Sequence, residues 1–371
     1  MQITANTTGM LADLAVVADP DAVDHCVVAI KGTFVTDQNG RLTLADHQQP
    51  LTTVDEHYGE PGSSCVRYEC DFALYKPYTD VIVVGKAVAP NGIPVTGLSV
   101  RLLVQGRAKD ILVYGQRHWV STLAGVRVSE PEPFTEMPIT FDRAFGGQDD
   151  TQGKDRVAVE LRNPVGVGFQ PHRHRADLTG WPVPNIESPG RAIDSPREPY
   201  EPAGYGCIGR SWQPRVALAG TYGESWRNER APYLPADFDP RYFQCAPQDQ
   251  QFPHFQGGEK IRCVHMAAPE VVEYTIPTLN MPVRFRFRDV DVERQAVLDT
   301  VIVEPHRLRA MLVWRASVPL RKKLTALTEV QVGEPPQTQT VRPIGARHGK
   351  PVFSRLALAV RYLRQQRGGG A

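Results

Sequence analysis

Apolar residues return at every second position in several separate stretches of this chain. That period of two marks half-buried strands. In LSVRLLVQ (98–105), Leu98, Val100, Leu102 and Val104 share one face. In MPVRFRFRDV (281–290), Val283, Phe285 and Phe287 alternate with Arg284, Arg286 and Arg288. The second pattern predicts a strand with one apolar and one basic face, either a solvated outer surface or an edge able to accept an extended partner. CVVAIKGTFV (26–35) is rich in β-branched side chains and meets the turn DQNG before RLTLA (41–45), a predicted hairpin. Residues 66–77 and 81–89 read as further strands, with Gly85 a bulge candidate, and PNG at 90–92 as a tight turn. Gly106 turns 98–105 into 108–115, so most of 26–128 reads as an antiparallel meander. Strand signals return at 261–266, 271–277, 281–290, 297–304 and 308–318, the last two forming a hairpin around Pro305 and His306.

Between 142 and 250 the alternation stops. Proline there removes backbone donors and forbids long strands and helices. Short helical turns are expected near 222–228 and 237–242. EPPQTQTVRPIGARHGKP (334–351), polar and Pro-containing, reads as a linker. Phe353, Leu356, Val360 and Leu363 then recur at helical spacing. The predicted fold is mainly β: an antiparallel sandwich- or barrel-like scaffold with a long loop-rich central region and a C-terminal helix. Strands from both ends share sheets in one composite domain over 1–330, with the motif region 142–250 inserted. A linker follows over 331–350, then an amphipathic helix and tail over 351–371.

Composition narrows the function classes. The 371 residues include 32 Pro and 31 Gly, spread through the middle of the chain, which argues for ordered loops. With 42 Lys+Arg against 41 Asp+Glu there is no general electrostatic pull toward nucleic acid or an anionic membrane. The N-terminal residues lack a basic segment followed by an apolar core, and no apolar run approaches ~20 residues. A cytoplasmic protein is expected. The six cysteines, Cys26, Cys65, Cys70, Cys207, Cys245 and Cys263, lack metal-site spacing and read as free thiols.

The central motifs carry residue types that chemistry could use. In DRAFGG (142–147), Asp142 and Arg143 suggest an acid and a clamp; a turn-capping Asp, a carboxylate-paired Arg and two glycines at unusual angles explain them more simply. NPVGVGF (163–169) has neither strand–helix context nor a Walker lysine, and reads as a turn presenting Phe169. His172 and His174, with Asp177, form a possible metal set, but Arg173 and Arg175 repel a cation. Asp142, Glu187, Glu224, Asp237 and Asp239 could supply the carboxylate pair of a glycan hydrolase, an alternative function, though none sits in a signature. Ser211 lacks a nucleophile elbow. No cofactor, no metal and no catalytic residue is expected.

KPYTDVIVVGKAVAPNG (76–92), GQRHW (115–119), MPITFDRAFGG (137–147), RNPVGVGF (162–169), PNIE (184–187), AGYGCIGRSWQPR (203–215), AGTYGESW (219–226) and LPADFDPRYFQCAPQDQQ (234–251) follow one another in the order of a known family. Over about residues 20–305 the chain resembles a bacterial domain-of-unknown-function family encoded beside type VI secretion genes. The resemblance implies a non-enzymatic effector adaptor or chaperone. Such a protein would bind a secreted effector, or its PAAR-like segment, and help load it onto the VgrG spike. Arg143, Phe169, Trp181, Trp212, Trp226 and Tyr242 are the candidates for the partner surface or its internal bracing, since aromatics and arginine anchor protein interfaces.

Overall fold

The computed structural model describes residues 2–123, 125–174, 178–320 and 326–334, together with the paired strands Gly345–Arg347 and Lys350–Val352. The chain divides into two compact units, Met1–Gly333 and Glu334–Ala371.

The first unit is mainly β, and its largest sheet joins strands from its early and late parts. Its strand order is Leu11–Ala18, Asp24–Thr36, Arg309–Pro319, Val297–Glu304, Thr79–Val83 and Gln251–Phe252, with Leu42–Leu44 also on Asp24–Thr36. All neighbours are antiparallel except Val297–Glu304 and Thr79–Val83, which run parallel. The strands Asp24–Thr36 and Arg309–Pro319 are paired over eleven positions. Both are buried on both faces, so their side chains form near-continuous apolar runs instead of alternating. Each Val, Ile or Leu so buried stabilises by about 1.5–3 kcal/mol.

A second, antiparallel sheet has the order Ile186–Glu187, Arg107–Tyr114, Gly97–Val104, Lys260–Val264, Val271–Thr275. Val100, Leu102 and Val104 point from it into the core shared with the large sheet, as the alternation requires. A third sheet orders Ile3–Asn6, Leu327–Val332, Pro282–Phe287 and Asp291–Gln295. Among the described residues no sheet closes into a barrel.

The hairpins predicted at 26–45, 98–115 and 297–318 all form. Several other expectations are corrected. The stretch 26–128 is not one meander, because its strands are divided among several sheets. The strand expected over 66–77 is confined to Val66–Tyr68, because Glu69, Asp71 and Lys76 turn inward to ion pairs. Residues 81–89 split at Gly85. The chain there leaves the large sheet, and Lys86–Val88 pairs with Glu136–Pro138. Pro282–Phe287 is not an available edge, since Leu327–Val332 and Asp291–Gln295 occupy both its sides. Its basic face is neutralised by Glu293, 3.1 Å from Arg284, and by Glu329, 3.1 Å from Arg286. Gln331 and Val332 end a strand, and Gly345–Arg347 pairs with Lys350–Val352, both within or beside the stretch read as linker. The helix expected over 351–371 lies outside the described residues apart from Pro351 and Val352, which are in strand.

Candidate functional site

The central motifs hold their shape through side chains reaching backbone. Phe141–Arg143 makes a single 3-10 turn, and Phe145–Gly146 then runs parallel to Val167–Gly168. Asn163, fully buried, locks this crossing by donating from Nδ2 to the carbonyls of Phe141 (2.8 Å) and Phe145 (3.0 Å). The segments approach so closely that a Cβ on Gly146 would fall 2.2 Å from the Asn163 oxygen, and Gly146 has φ 154°. Asp142 does not cap its own turn. It accepts from the Cys65 amide at 3.0 Å and from the Cys65 thiol at 2.8 Å, tying the turn to a distant loop. Burial, and then the Asp142 carboxylate, push that thiol up. Arg143 pairs with the Asn185 side-chain oxygen at 3.2 Å instead of a carboxylate.

Beneath the motifs lies a buried network of charge. Arg215 donates from Nε to the Tyr242 carbonyl (2.7 Å), from Nη1 to the Ile208 carbonyl (2.7 Å) and from Nη2 to Glu69. Arg210 bridges Glu69 (3.2 Å) and Asp55 (3.0 Å). Lys76 lies 3.8 Å from Glu69 and 2.7 Å from Asp80, which also accepts from Gln244 Nε2 (2.6 Å) and the Cys245 amide (2.9 Å). Burial alone would raise the Glu69 carboxyl, but Arg215, Lys76 and Arg210 outweigh it and hold it below its ordinary value. Burial would likewise lower Lys76, yet Asp80, Cys245 and Glu69 keep it raised. Charges this deep persist only when each is paired. The network binds 203–215 and 234–251 to the large sheet as one body.

On this base stands a cleft of about 390 Å³, lined by Phe141, Ile208, Leu218, Pro214, Arg215, Gln244 and Arg241, among others. Its one lining carboxylate among the described residues is Glu201, paired to Arg162 at 2.6 Å. Beside it an aromatic face reaches solvent. Tyr75 is 48% exposed, Tyr78 42% and Tyr222 51%. Tyr222 packs edge-on against Trp226 at 4.7 Å, and Tyr242, Phe238 and Phe243 form a mutually packed trio. The Tyr78 amide donates to Gln244 Oε1 (2.9 Å), which joins this face to the cleft and the network. Burial and then the Asp239 charge raise Tyr75, placing it near the Asp239–Arg241 pair (2.5 Å). Rigid aromatics with a polar tip beside arginine are what a protein interface uses.

The six candidates are not gathered on one surface. Tyr242 and Trp226 belong to the aromatic face. Trp212 is buried edge-on against Phe141 at 5.8 Å. Phe169 and Trp181 pack in a satellite core with Trp119, Phe145 and Tyr200, and Arg173 covers Trp181 at 3.7 Å. Arg143 braces a turn. Tyr75 and Tyr78 were missed by sequence reasoning. Their one signal was a pair of tyrosines on either side of Lys76–Pro77, Tyr78 inside the 76–92 motif and Tyr75 just before it.

The carboxylates proposed for glycan hydrolysis are dispersed. Glu187 is buried against Arg117 at 2.7 Å, Asp237 accepts from Thr221, Asp239 is held by Arg241, and Glu224 is exposed on the helix Glu224–Glu229. None of them, nor Asp142, lines the cleft. His172 and His174 are exposed, and Asp177 lies outside the described residues. Among the described residues no group of three or more His, Cys, Asp or Glu is placed to hold a metal. No helix among them is long and apolar enough to cross a membrane.

No curated protein and no solved structure matches the chain. The family described as an uncharacterized protein conserved in bacteria, DUF2169, matches residues 21–315, which hold the charge network, the cleft, the aromatic face and the large sheet apart from its edge strand Leu11–Ala18 and the last residues of Arg309–Pro319. The chain belongs to that family.

Proposed function

We propose that this protein is a non-enzymatic adaptor that binds another polypeptide through the aromatic face and adjoining cleft. The observation that carries the reading is the exposure of Tyr75, Tyr78 and Tyr222 on a base fixed by buried ion pairs. A rigid base means that little ordering is needed on binding, so contact energy appears as affinity. The resemblance of the motifs to proteins encoded beside type VI secretion genes suggests the cargo: a secreted effector or its PAAR-like segment, passed to the VgrG spike in the cytoplasm.

The test is co-purification of the full chain with a type VI effector carrying a PAAR-like segment and with VgrG. Tyr75→Ala combined with Tyr78→Ala should leave the melting temperature unchanged and weaken effector capture at least about tenfold, as for interface anchors. Full capture by a folded double variant would refute this face. Absence of any complex with the wild-type chain would refute the adaptor reading.

A further inference from the structure

We propose that the edge strand Leu11–Ala18 is a self-pairing surface, on which a second copy of this chain adds its own Leu11–Ala18 antiparallel and joins two large sheets into one. The strand occupies the edge of the large sheet, with Asp24–Thr36 on one side. Among the described residues no strand pairs with its other side.

Two hydrogen bonds fix which groups face out. Leu14 N–H donates to the side chain of Asp13 at 2.8 Å, so it points away from the sheet. Asp19 N–H donates to the Val23 carbonyl at 3.0 Å, continuing the inner ladder. Alternation then turns the amides and carbonyls of Ala12, Leu14, Val16 and Ala18 to the open edge.

Proteins normally blunt such an edge with charge, proline, brevity or a cover. The other edges here do so. Asp291–Gln295 carries Asp291, Glu293 and Arg294. Ile3–Asn6 has four residues and Gln251–Phe252 two. Val271–Thr275 is covered in part by the Thr36 hydroxyl on the Glu273 carbonyl (2.7 Å) and by Gly40 on the Thr275 amide (2.7 Å). The strand Leu11–Ala18 has eight residues, no proline and one charge, and leaves Leu11 39% and Val16 40% exposed.

Self-compatibility of charge points to a second copy as occupant, because no like charges stand directly opposite across a two-fold axis. A two-fold axis requires the facing residues to be related symmetrically. Because hydrogen-bonded pairs need two outward residues, the two central registers put Leu14 opposite Leu14, or Ala15 opposite Ala15. Asp13 then faces Ala15 or Val17 of the copy, and never another Asp13. Asp19 and Asp21 come beside residues 7–11, which carry no charge. In the single chain the Asp13 carboxylate satisfies the Leu14 amide, the bond that the copy's carbonyl would replace.

The experiment is sedimentation equilibrium of the full chain over a concentration series, compared with Val16→Pro and Val16→Lys. Proline at an outward position removes an edge donor and spares the inner ladder. The wild type should approach twice the 41.2 kDa chain mass. Each variant, with unchanged circular dichroism and melting temperature, should dimerise at least about tenfold more weakly. Hydrogen exchange on the wild type gives an independent readout: the amides of residues 12, 16 and 18 should slow as concentration rises. A wild type that stays monomeric throughout overturns the proposal, as does a dimer that survives both variants or leaves those amides unchanged. A monomer that loses effector binding on Val16→Lys overturns it in favour of an extended segment from another protein.

Discussion

Replacing Glu69 by Gln tests whether the buried charge network holds the motif region to the sheet. The change removes the negative charge shared by Arg215, Arg210 and Lys76 while keeping size and one acceptor oxygen. Arg215 and Glu69 are both less than a tenth exposed, so breaking that pair leaves a buried guanidinium without its counter-charge. Such a loss costs about 3–5 kcal/mol. The Arg210 contact adds little, because its side chain is 35% exposed and solvent screens it. The amide oxygen retains one hydrogen bond, which puts the expectation near the lower bound, about 3 kcal/mol. That is a large share of the ~5–15 kcal/mol that holds a typical native fold. Urea unfolding of wild type, Glu69→Gln, Arg215→Met and the double variant measures it. The double variant should be less destabilised than the sum of the singles by about 1–3 kcal/mol. The pH dependence has a definite sign. The Glu69 carboxyl is lowered from 4.5, so its contribution is complete above that value and disappears as pH falls through the lower native one. The gap between wild type and Glu69→Gln should therefore be constant at neutral pH and close in acid. A single variant within about 0.5 kcal/mol of wild type, the spread of neutral surface changes, would refute the reasoning, as would strict additivity.

Asn163→Ala removes both bonds that lock the DRAFGG crossing and should cost about 1–3 kcal/mol by urea midpoint, since the buried Phe145 carbonyl loses its side-chain donor while the Phe141 carbonyl keeps the Ala144 amide. Gly115→Ala places a Cβ 1.7 Å from the Glu132 carbonyl oxygen, a backbone clash. It should destabilise the fold by about 1–3 kcal/mol or more, as overpacking does, and lower the melting temperature further than Gly→Ala at an exposed position with room for a Cβ, such as Gly59→Ala. At pH 8 a thiol reagent should leave Cys26, Cys65, Cys207, Cys245 and Cys263 unmodified, because all five are buried, and burial pushes the Cys26 thiol up to about 11. Half-buried Cys70 should react slowly, and all six should titrate after denaturation; fast labelling of several thiols in the native state would contradict the packing.

Local pattern carried the hairpins, because each is a short-range matter of alternation and a turn residue. The alternation at Val100, Leu102 and Val104, the turn at Gly106 and the strand with arginines at 284 and 286 needed nothing beyond their neighbours. The proline-dense middle was legible as loops for a similar reason: a missing amide is a property of the residue. The parallel pairing of Thr79–Val83 with Val297–Glu304 was not legible, since each strand is apolar for reasons shared with many others and no local feature names its partner. Glu69 and Lys76 looked like ordinary members of a strand until tertiary packing brought Arg215 and Asp80 beside them. Trp212 and Tyr75 show the same division at the candidate site. Their chemistry was plain in the sequence, but burial against Phe141 or exposure beside Asp239 is a property of three-dimensional neighbours. The sequence by itself determined a β-rich chain with a rigid, aromatic, proline-braced centre. Only the tertiary structure decided which charges are buried, which edge is open and which aromatics face solvent, because each depends on contacts between residues far apart in the chain.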